Sequence, residues 1–438
     1  MISRIFAAAA IVACLVLYPT RVTDSRVVVP PEPAQVRVLA CESFKTSLDE
    51  LTRYDIDPAQ QGVLIESLDG RIVAVSHNPE LLLNSASVTK LATSYFALWK
   101  LGPDYQFVTR AGIRGELDPH SQTVRGDLVV YSEGDPLFRN SEARELAAQI
   151  LNTDIRSVTG NLVIVGPVCL NGNYTTEKSS AQLAALFRRA GIQISGELVL
   201  EDISPMAHKP DTAPRPDSRA GAIQTVWLVE HKGIPLHQLL WHQNAHSVNV
   251  IADRLNSALG GPLAMEDFLT REVRIPADQI HLTRGSGLDD NAMTSRATIH
   301  LLKSLHGWLV GHKMTYLDIL PAAGIDEGTL SDRFRSDAYR GSVIGKTGTQ
   351  SSWDQGVSTL AGVINTRRGL FLFAIYNSHA DIRNCRKWQD RFLESFADEM
   401  GGALAFKQEP RERADIYYSG IWQSLQSLSP RSMTQAAE

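Results

Sequence analysis

The sequence predicts an α+β fold: one antiparallel sheet built from both ends of the chain, packed with helices, and interrupted by an inserted, mostly β unit. Three observations lead there. Strand pairs occur near both ends, at residues 61–78 and 342–377. A helix with apolar residues on one side accompanies each pair. Between them, residues 105–202 change to short alternating runs.

The chain opens on "MISRIFAAAAIVACLVLYPTR", in which Arg4 precedes an uncharged apolar run from Ile5 to Tyr18. That run is shorter than the ~20 residues needed to cross a bilayer and has the length of an export-signal core. No A-x-A pattern follows it, so residues 1–30 are read as a signal peptide or an uncleaved N-terminal anchor. "IVAC" resembles a lipoprotein box, but apolar residues continue past Cys14. Phe44, Leu48 and Leu51 then fall at helical spacing. "QGVLIESLDGRIVAVSHN" reads as two strands joined by Asp69-Gly70, a strong hairpin signal. A helix follows, with Val88, Leu91, Ala92, Tyr95, Leu98 and Trp99 on nearly one face, ended by Gly102-Pro103.

The middle stretch holds "FVTRAGIRG", "GDLVVYSEGDPLF", "SVTGNLVIVG" and "IQISGELVLED", with one clear helix, "SSAQLAALFRRAG". The four prolines in residues 203–222 mark a long connection. Helices resume with "NVIADRLNSALGG" and "TSRATIHLLKSLHGWL". The strands "SVIGKTGTQ", "GVSTLAGVIN" and "GLFLFAIYN" return, the last two joined by "TRRG". A final helix places Trp388, Phe392, Phe396 and Met400 on one side. The resulting division is residues 31–104 and 230–405 as a discontinuous main domain, 105–229 as the insert with its linker, and 406–438 as a tail. In that tail Tyr418, Ile421, Trp422 and Leu425 form a short helical stripe expected to dock on the core.

The chain of 438 residues is 43% hydrophobic and 21% charged with a net charge of −5. It carries no basic footprint for nucleic acid. Cys14, Cys41, Cys169 and Cys385 fit no metal motif. An exported protein can pair two of them; Cys41 and Cys385, each ahead of a terminal helix, are the favoured pair.

Three short motifs carry chemistry. In "NSASVTKLATS", Ser87 and Lys90 are three apart on an apolar helix, so an amine reaches a hydroxyl. Burial disfavours the ammonium form and lets Lys90 act as base for a serine that is otherwise a weak nucleophile. Asn84 or Ser85 can cap the helix, and Ser87 in its first turn places free N–H groups beside a developing oxyanion. Ser247-Val-Asn249 precedes another helix; its hydroxyl can relay a proton, and its amide can hold a substrate carbonyl or Lys90. Lys346-Thr347-Gly348-Thr349 lies on a strand: a cation with hydroxyls grips a carboxylate, Gly348 permits close backbone approach, and the Thr349 N–H is a second oxyanion donor. Other candidates are weaker. Ser76-His-Asn78 repeats the S-x-N spacing but ends a hairpin before Ser87. His242 and His246 read as polar packing rather than a histidine base, and Asp289-Asp290 as a solvated turn.

The order S-x-x-K, S-x-N, K-T-G, with the last on a strand, is that of penicillin-binding proteins and class A β-lactamases. The sequence most resembles the D-alanyl-D-alanine carboxypeptidase/endopeptidase family of penicillin-binding proteins, in which a large domain is inserted between the first two motifs. "SVTKLATS", "EGDPLF", "GSGLDD" and "LPAAGIDEGTL" carry the likeness further, over roughly residues 41–400. The resemblance implies a serine β-lactamase/transpeptidase-like core with a five-stranded antiparallel sheet. It implies a periplasmic serine-type D-Ala-D-Ala carboxypeptidase, with or without DD-endopeptidase activity, acting on peptidoglycan stem peptides without a metal or cofactor, and covalent capture of β-lactam antibiotics. Ser87, Lys90, Ser247 and Lys346 would be catalytic, with Lys346 supporting proton transfer through its charge. Ser87 and Thr349 would supply the oxyanion N–H groups; Asn249, Lys346, Thr347, Gly348 and Thr349 would hold the substrate. Membrane contact would come only through an uncleaved N-terminal segment. The rivals are a β-lactamase with fast deacylation and a non-catalytic wall-binding protein on the same fold.

The sequence departs from that family at Ser85, where proline is usual, at Val248, where Asp or Asn is usual, and at Ala245, where lysine is common. The span from Ser87 to Ser247 is shorter than in the largest members, which points to a missing sub-domain. Ser85→Pro and Val248→Asp are expected to change rate or substrate choice without abolishing chemistry; unchanged kinetics and preference in both variants would refute this.

Overall fold

The computed structural model describes residues 36–173, 175–201, 224–351 and 356–407, and the backbone of 421–424. The N-terminal apolar run and the proline-rich connection of residues 203–222 lie outside them.

The main sheet runs in the order Arg37–Val38, Ile72–His77, Gln61–Ser67, Gly369–Asn377, Val357–Thr366, Val343–Gln350. The five longer strands are mutually antiparallel, as expected. Arg37–Val38 adds a short sixth strand, parallel to its neighbour. Gly70 turns the first hairpin with φ 72°, a conformation that costs glycine little.

Both faces of this sheet are covered, and its strands show it. Phe371, Phe373 and Ile375 point to one face with Val63, Ile65 and Leu360, where they meet Phe44, Leu51, Trp388, Phe392 and Phe396 of the two terminal helices. Leu372, Ala374 and Tyr376 point to the other, with Leu64, Ala361 and Val363, against Val88, Leu91 and the helix Ser295–Gly311. Alternation of side chains with period two therefore buries nearly every position.

The terminal helices Glu42–Arg53 and Ile382–Glu399 are tied to each other as well as to the sheet. Trp388 Nε1 donates to the Ser47 carbonyl at 2.8 Å. The Glu399 carboxylate accepts from the backbone N–H groups of Ser43 at 2.9 Å and Glu42 at 3.1 Å, satisfying free donors of the first helix. Cys41 sits at that junction, its thiol 3.5 Å from Glu399 Oε2. Cys41 and Cys385 are both buried and free, so the expected pairing does not form; the Cys41 thiol is engaged with Ser43 and Glu399 instead.

The middle of the chain builds a second sheet around its own core of Ile113, Leu128, Val130, Leu162, Leu183 and Phe187. Val108–Asp118 and Thr123–Ser132 pair as a long antiparallel hairpin. Leu162–Val165 is parallel to both its neighbours, Thr123–Ser132 and Leu198–Glu201. Parallel neighbours need crossovers, and two helices supply them, Thr176–Ala190 and Asn140–Leu151. The second was not read from the sequence: "GDLVVYSEGDPLF" looked like one run, whereas the strand stops at Ser132 and Gly134 turns the chain with φ 82°. Strands still predominate in this unit. Val226–Lys232 pairs with Val108–Asp118, so the return leg of the insert belongs to its sheet.

The tail departs from expectation. Ile421–Ser424 is a strand, not a helical turn, and it pairs with Val226–Lys232 at the edge of the insert's sheet. Tyr418 and Leu425 lie outside the described residues. Trp99 also departs from its predicted core position: it is 41% exposed and rests on the Phe268 ring.

The strand bearing Lys346 is seated by a glycine opposite. A Cβ at Gly362 would lie 2.0 Å from the Ile344 carbonyl oxygen and 2.6 Å from the Gly345 α-carbon. Gly362→Ala is expected to cost at least about 2 kcal/mol and lower the melting temperature by several degrees. An unchanged melting temperature would show that the two strands have slack.

Candidate active site

The segment read as one helix from Val88 onward is two pieces. Ala86–Thr89 is a 3₁₀ turn, and the α-helix Lys90–Leu101 follows it. Ala86 has φ 43°, a left-handed conformation that strains any residue with a Cβ, and it immediately precedes Ser87. Several tethers hold it. Asn84 Oδ1 accepts from the Ala86 N–H at 2.8 Å, so Asn84 is the capping group of the two considered. The Ser85 N–H donates to the Asn291 carbonyl at 3.0 Å, a bond that proline could not make, and its hydroxyl is 2.7 Å from that of Thr89. Strain of this kind persists because its surroundings fix it, and here it aims the Ser87 side chain away from the core.

Lys90 is wholly buried beneath Ser87. Its ammonium nitrogen lies 2.8 Å from Ser87 Oγ, 2.7 Å from Asn249 Oδ1 and 2.6 Å from the Ser286 carbonyl. Burial lowers its pKa to about 7; the Asp253 carboxylate opposes this and Arg284 adds to it. An amine that titrates near neutrality, in contact with a hydroxyl, can take that hydroxyl's proton.

The other motifs converge on the same place. The helix Leu236–His246 ends at Ser247, which has φ 56°, and Asn249 begins the next helix, Asn249–Ala258. Asn249 thus holds Lys90 through its oxygen. The half-buried Ser247 hydroxyl has no hydrogen-bond partner among the described residues. Ala245 is fully buried: the Thr329 N–H donates to its carbonyl at 2.8 Å, and a Cβ on Gly328 would lie 2.1 Å from the same oxygen.

Among the described residues Val343–Gln350 is the edge strand of the main sheet, with a partner strand on one side and an isolated bridge from Ala322 to Ile344 on the other. The Gly345 N–H donates outward, to the Pro321 carbonyl. By the period of two, the N–H groups of Thr347 and Thr349 also point away from the sheet, along its free edge. Lys346 is wholly buried, and its amine donates to the Thr347 carbonyl at 2.8 Å. Burial, with the neighbouring Lys90 amine second, drives its pKa well below the ordinary lysine value. Thr347 Oγ1 donates to Thr329 Oγ1 at 2.8 Å, and Thr349 Oγ1 accepts from Arg386 Nη2 at 2.8 Å. Gly348 also has a packing reason to be small. A Cβ there would lie 2.1 Å from Thr359 Oγ1 and 3.0 Å from both Ser85 O and Ser87 N, so it makes room for the turn carrying Ser87.

Sequence reasoning missed the loop that completes the site. The Ser286 N–H donates to Asp253 Oδ1 at 2.9 Å, and Arg284 binds Asp253 Oδ2 at 2.6 Å. A Cβ on Gly287 would lie 1.8 Å from the Ala86 carbonyl, and Gln350 Nε2 reaches the Gly287 carbonyl at 3.1 Å. Asp253 follows Asn249 by one helical turn, a spacing that places both on one face and was available in the sequence.

The rejected candidates stay apart. Asn78 Nδ2 donates to the Gln61 and Pro58 carbonyls at the end of its hairpin. Burial lowers the His242 pKa to about 4, and His246 Nε2 is 3.3 Å from Glu327 Oε1. Asp289 pairs with Arg284 on the surface. Among the described residues, no three His, Cys, Asp or Glu side chains gather as metal ligands.

An antiparallel sheet between helical layers, with a serine on a buried lysine and a lysine-bearing edge strand beside it, defines a serine β-lactamase/transpeptidase-like fold. The chain belongs to the D-Ala-D-Ala carboxypeptidase 3 (S13) family, whose profile matches residues 45–168 and 215–396. It is 26% identical over 273 residues to a D-alanyl-D-alanine carboxypeptidase of an Actinomadura species, covering 56% of this chain and 49% of that protein. The chain thus spans about half the length of that relative. In structure it is similar to penicillin-binding protein 4 of Haemophilus influenzae, with TM-score 0.63, 19% identity, and coverage of 79% of this chain and 98% of the other. It is equally similar to a predatory peptidoglycan endopeptidase of Bdellovibrio bacteriovorus, with TM-score 0.63, 18% identity, and coverage of 82% and 98%. That endopeptidase has also been solved acylated by penicillin G.

A base that must be neutral gains potency as pH rises through its pKa. Acylation of Ser87 by a fluorescent penicillin is expected to accelerate with pH about a midpoint near 7. Asp253→Asn removes the carboxylate that favours the ammonium form, so the midpoint moves down. A flat profile, or a midpoint that moves up in this variant, would contradict Lys90 as the base.

Proposed function

We propose that this protein is a serine-type D-Ala-D-Ala carboxypeptidase acting on peptidoglycan stem peptides in the periplasm, and that it binds penicillin covalently. The contact between Ser87 Oγ and the buried Lys90 amine, 2.8 Å, carries the proposal.

The neutral Lys90 amine takes the Ser87 proton as Oγ attacks the carbonyl between the two terminal D-alanines. The N–H groups of Ser87 and Thr349 stabilise the oxyanion. Ser247, whose hydroxyl is unengaged, gives its proton to the leaving amine and regains one from protonated Lys90, which returns to the neutral form. Asn249 keeps Lys90 in place through Oδ1 and offers its Nδ2 to the substrate amide. Lys346 reaches the site from beneath the edge strand, with Thr347, Gly348 and Thr349 along that edge. A substrate carboxylate brought close to Lys346 favours its charged form and offsets the effect of burial. Water then hydrolyses the acyl-enzyme, with Lys90 again accepting the proton. The leader of residues 1–30 serves export, or anchoring at the membrane if it is retained.

Labelled penicillin is expected to mark the wild type and not Ser87→Ala; equal labelling of both sinks the mechanism. Muropeptides analysed by mass should lose one D-alanine. Cleavage of cross-links in the same assay identifies DD-endopeptidase activity. Rapid β-lactam turnover without D-alanine release favours a β-lactamase, and peptidoglycan binding without any release favours a wall-binding role.

A further inference from the structure

Arg386 lies on the helix Ile382–Glu399, outside all three motifs, with its side chain exposed. Its guanidinium donates to Thr349 Oγ1 at 2.8 Å. It forms no ion pair among the described residues: Asp390, one turn further on, feels its charge but is held by Arg333 at 2.6 Å. The two lysines of the site are differently placed. Lys90 is buried and engaged by three acceptors, and Lys346 is buried and bonded to the Thr347 carbonyl. Thr347 is also occupied, by Thr329. Thr349 is the exception. Because its oxygen accepts from Arg386, its hydroxyl hydrogen remains free to donate outward. Its N–H points along the same free edge.

We infer that Arg386 binds the C-terminal carboxylate of the substrate, with Thr349 as its partner, and so sets the preference for a free acid. This rests on the carboxypeptidase reading above. A guanidinium presents five N–H donors in a planar fork, so one arm can stay on Thr349 while another meets a carboxylate oxygen. Thr349 holds the fork in place before substrate arrives. An exposed arginine keeps its charge, whereas burial disfavours the charged form of Lys346.

The test compares a peptide ending in D-Ala-D-Ala with the same peptide ending in D-alaninamide, using full-length wild type, Arg386→Gln and Arg386→Lys. In Arg386→Gln, kcat/KM for the free acid is expected to fall about ten- to a hundred-fold, mostly through KM, as expected for a charge-assisted hydrogen bond. The amide should change by less than about three-fold, and Arg386→Lys should recover part of the loss. An equal fall on both substrates would mean a structural role and overturn the inference, as would no fall on the acid. A wild type that releases nothing from either peptide overturns the carboxypeptidase reading itself, and the inference with it.

Discussion

The site depends on keeping one lysine amine out of water without leaving it unsatisfied. Lys90 meets Ser87 from its own turn, Asn249 from a helix that follows the insert, and the Ser286 carbonyl from a later loop. A buried amine that can ionise needs acceptors on all sides, and here each comes from a different part of the chain. Burial brings its pKa to about 7, and the contact with Ser87 holds it against the serine it serves. The loop itself is anchored by Asp253, so this carboxylate both positions an acceptor and raises the lysine pKa.

Close backbone approach is the second constraint. Gly287, Gly328, Gly348 and Gly362 stand where a Cβ would strike a neighbouring segment. Together they press the Ser87 turn, the end of the Leu236–His246 helix and the Lys346 strand into one cluster. The left-handed Ala86 is the strained member of that cluster. Its surroundings determine it: Asn84 bonds its N–H, and the loop through Gly287 leaves no room for another path.

Much of this was legible in the sequence. Period-two runs and the Asp69-Gly70 turn located the main sheet, because both signals are local. The spacing of Ser87 and Lys90 predicted their contact for the same reason. What failed was non-local or ambiguous. Asn140–Leu151 was missed because the apolar run before it hid the turn at Gly134. The stripe around Trp422 had helical spacing, but over four residues spacing does not separate helix from strand, and an open sheet edge decided the outcome. The depth of Lys346 could not be seen from spacing. Arg386 carries no motif, and only the folded chain brings it to the site; Asp253 was one helical turn from Asn249.

The sheet order has a temporal consequence. The side chain of Gln61 donates to the carbonyl of Ser378, 317 residues further along the chain. The Gln61–Ser67 strand has the Gly369–Asn377 strand as its neighbour, so half of its pairing must wait. At a synthesis rate of 5–20 residues per second, that wait is roughly 15–60 s. Until then the early hairpin presents an unpaired apolar edge, a template for wrong pairing that a holding chaperone would need to cover. Lys90 likewise waits 159 residues for Asn249 and 196 for Ser286, and the strand bearing Lys346 comes later still. The nascent chain therefore has no assembled nucleophile, and any hydrolytic power arises only after nearly all of the polypeptide has been made.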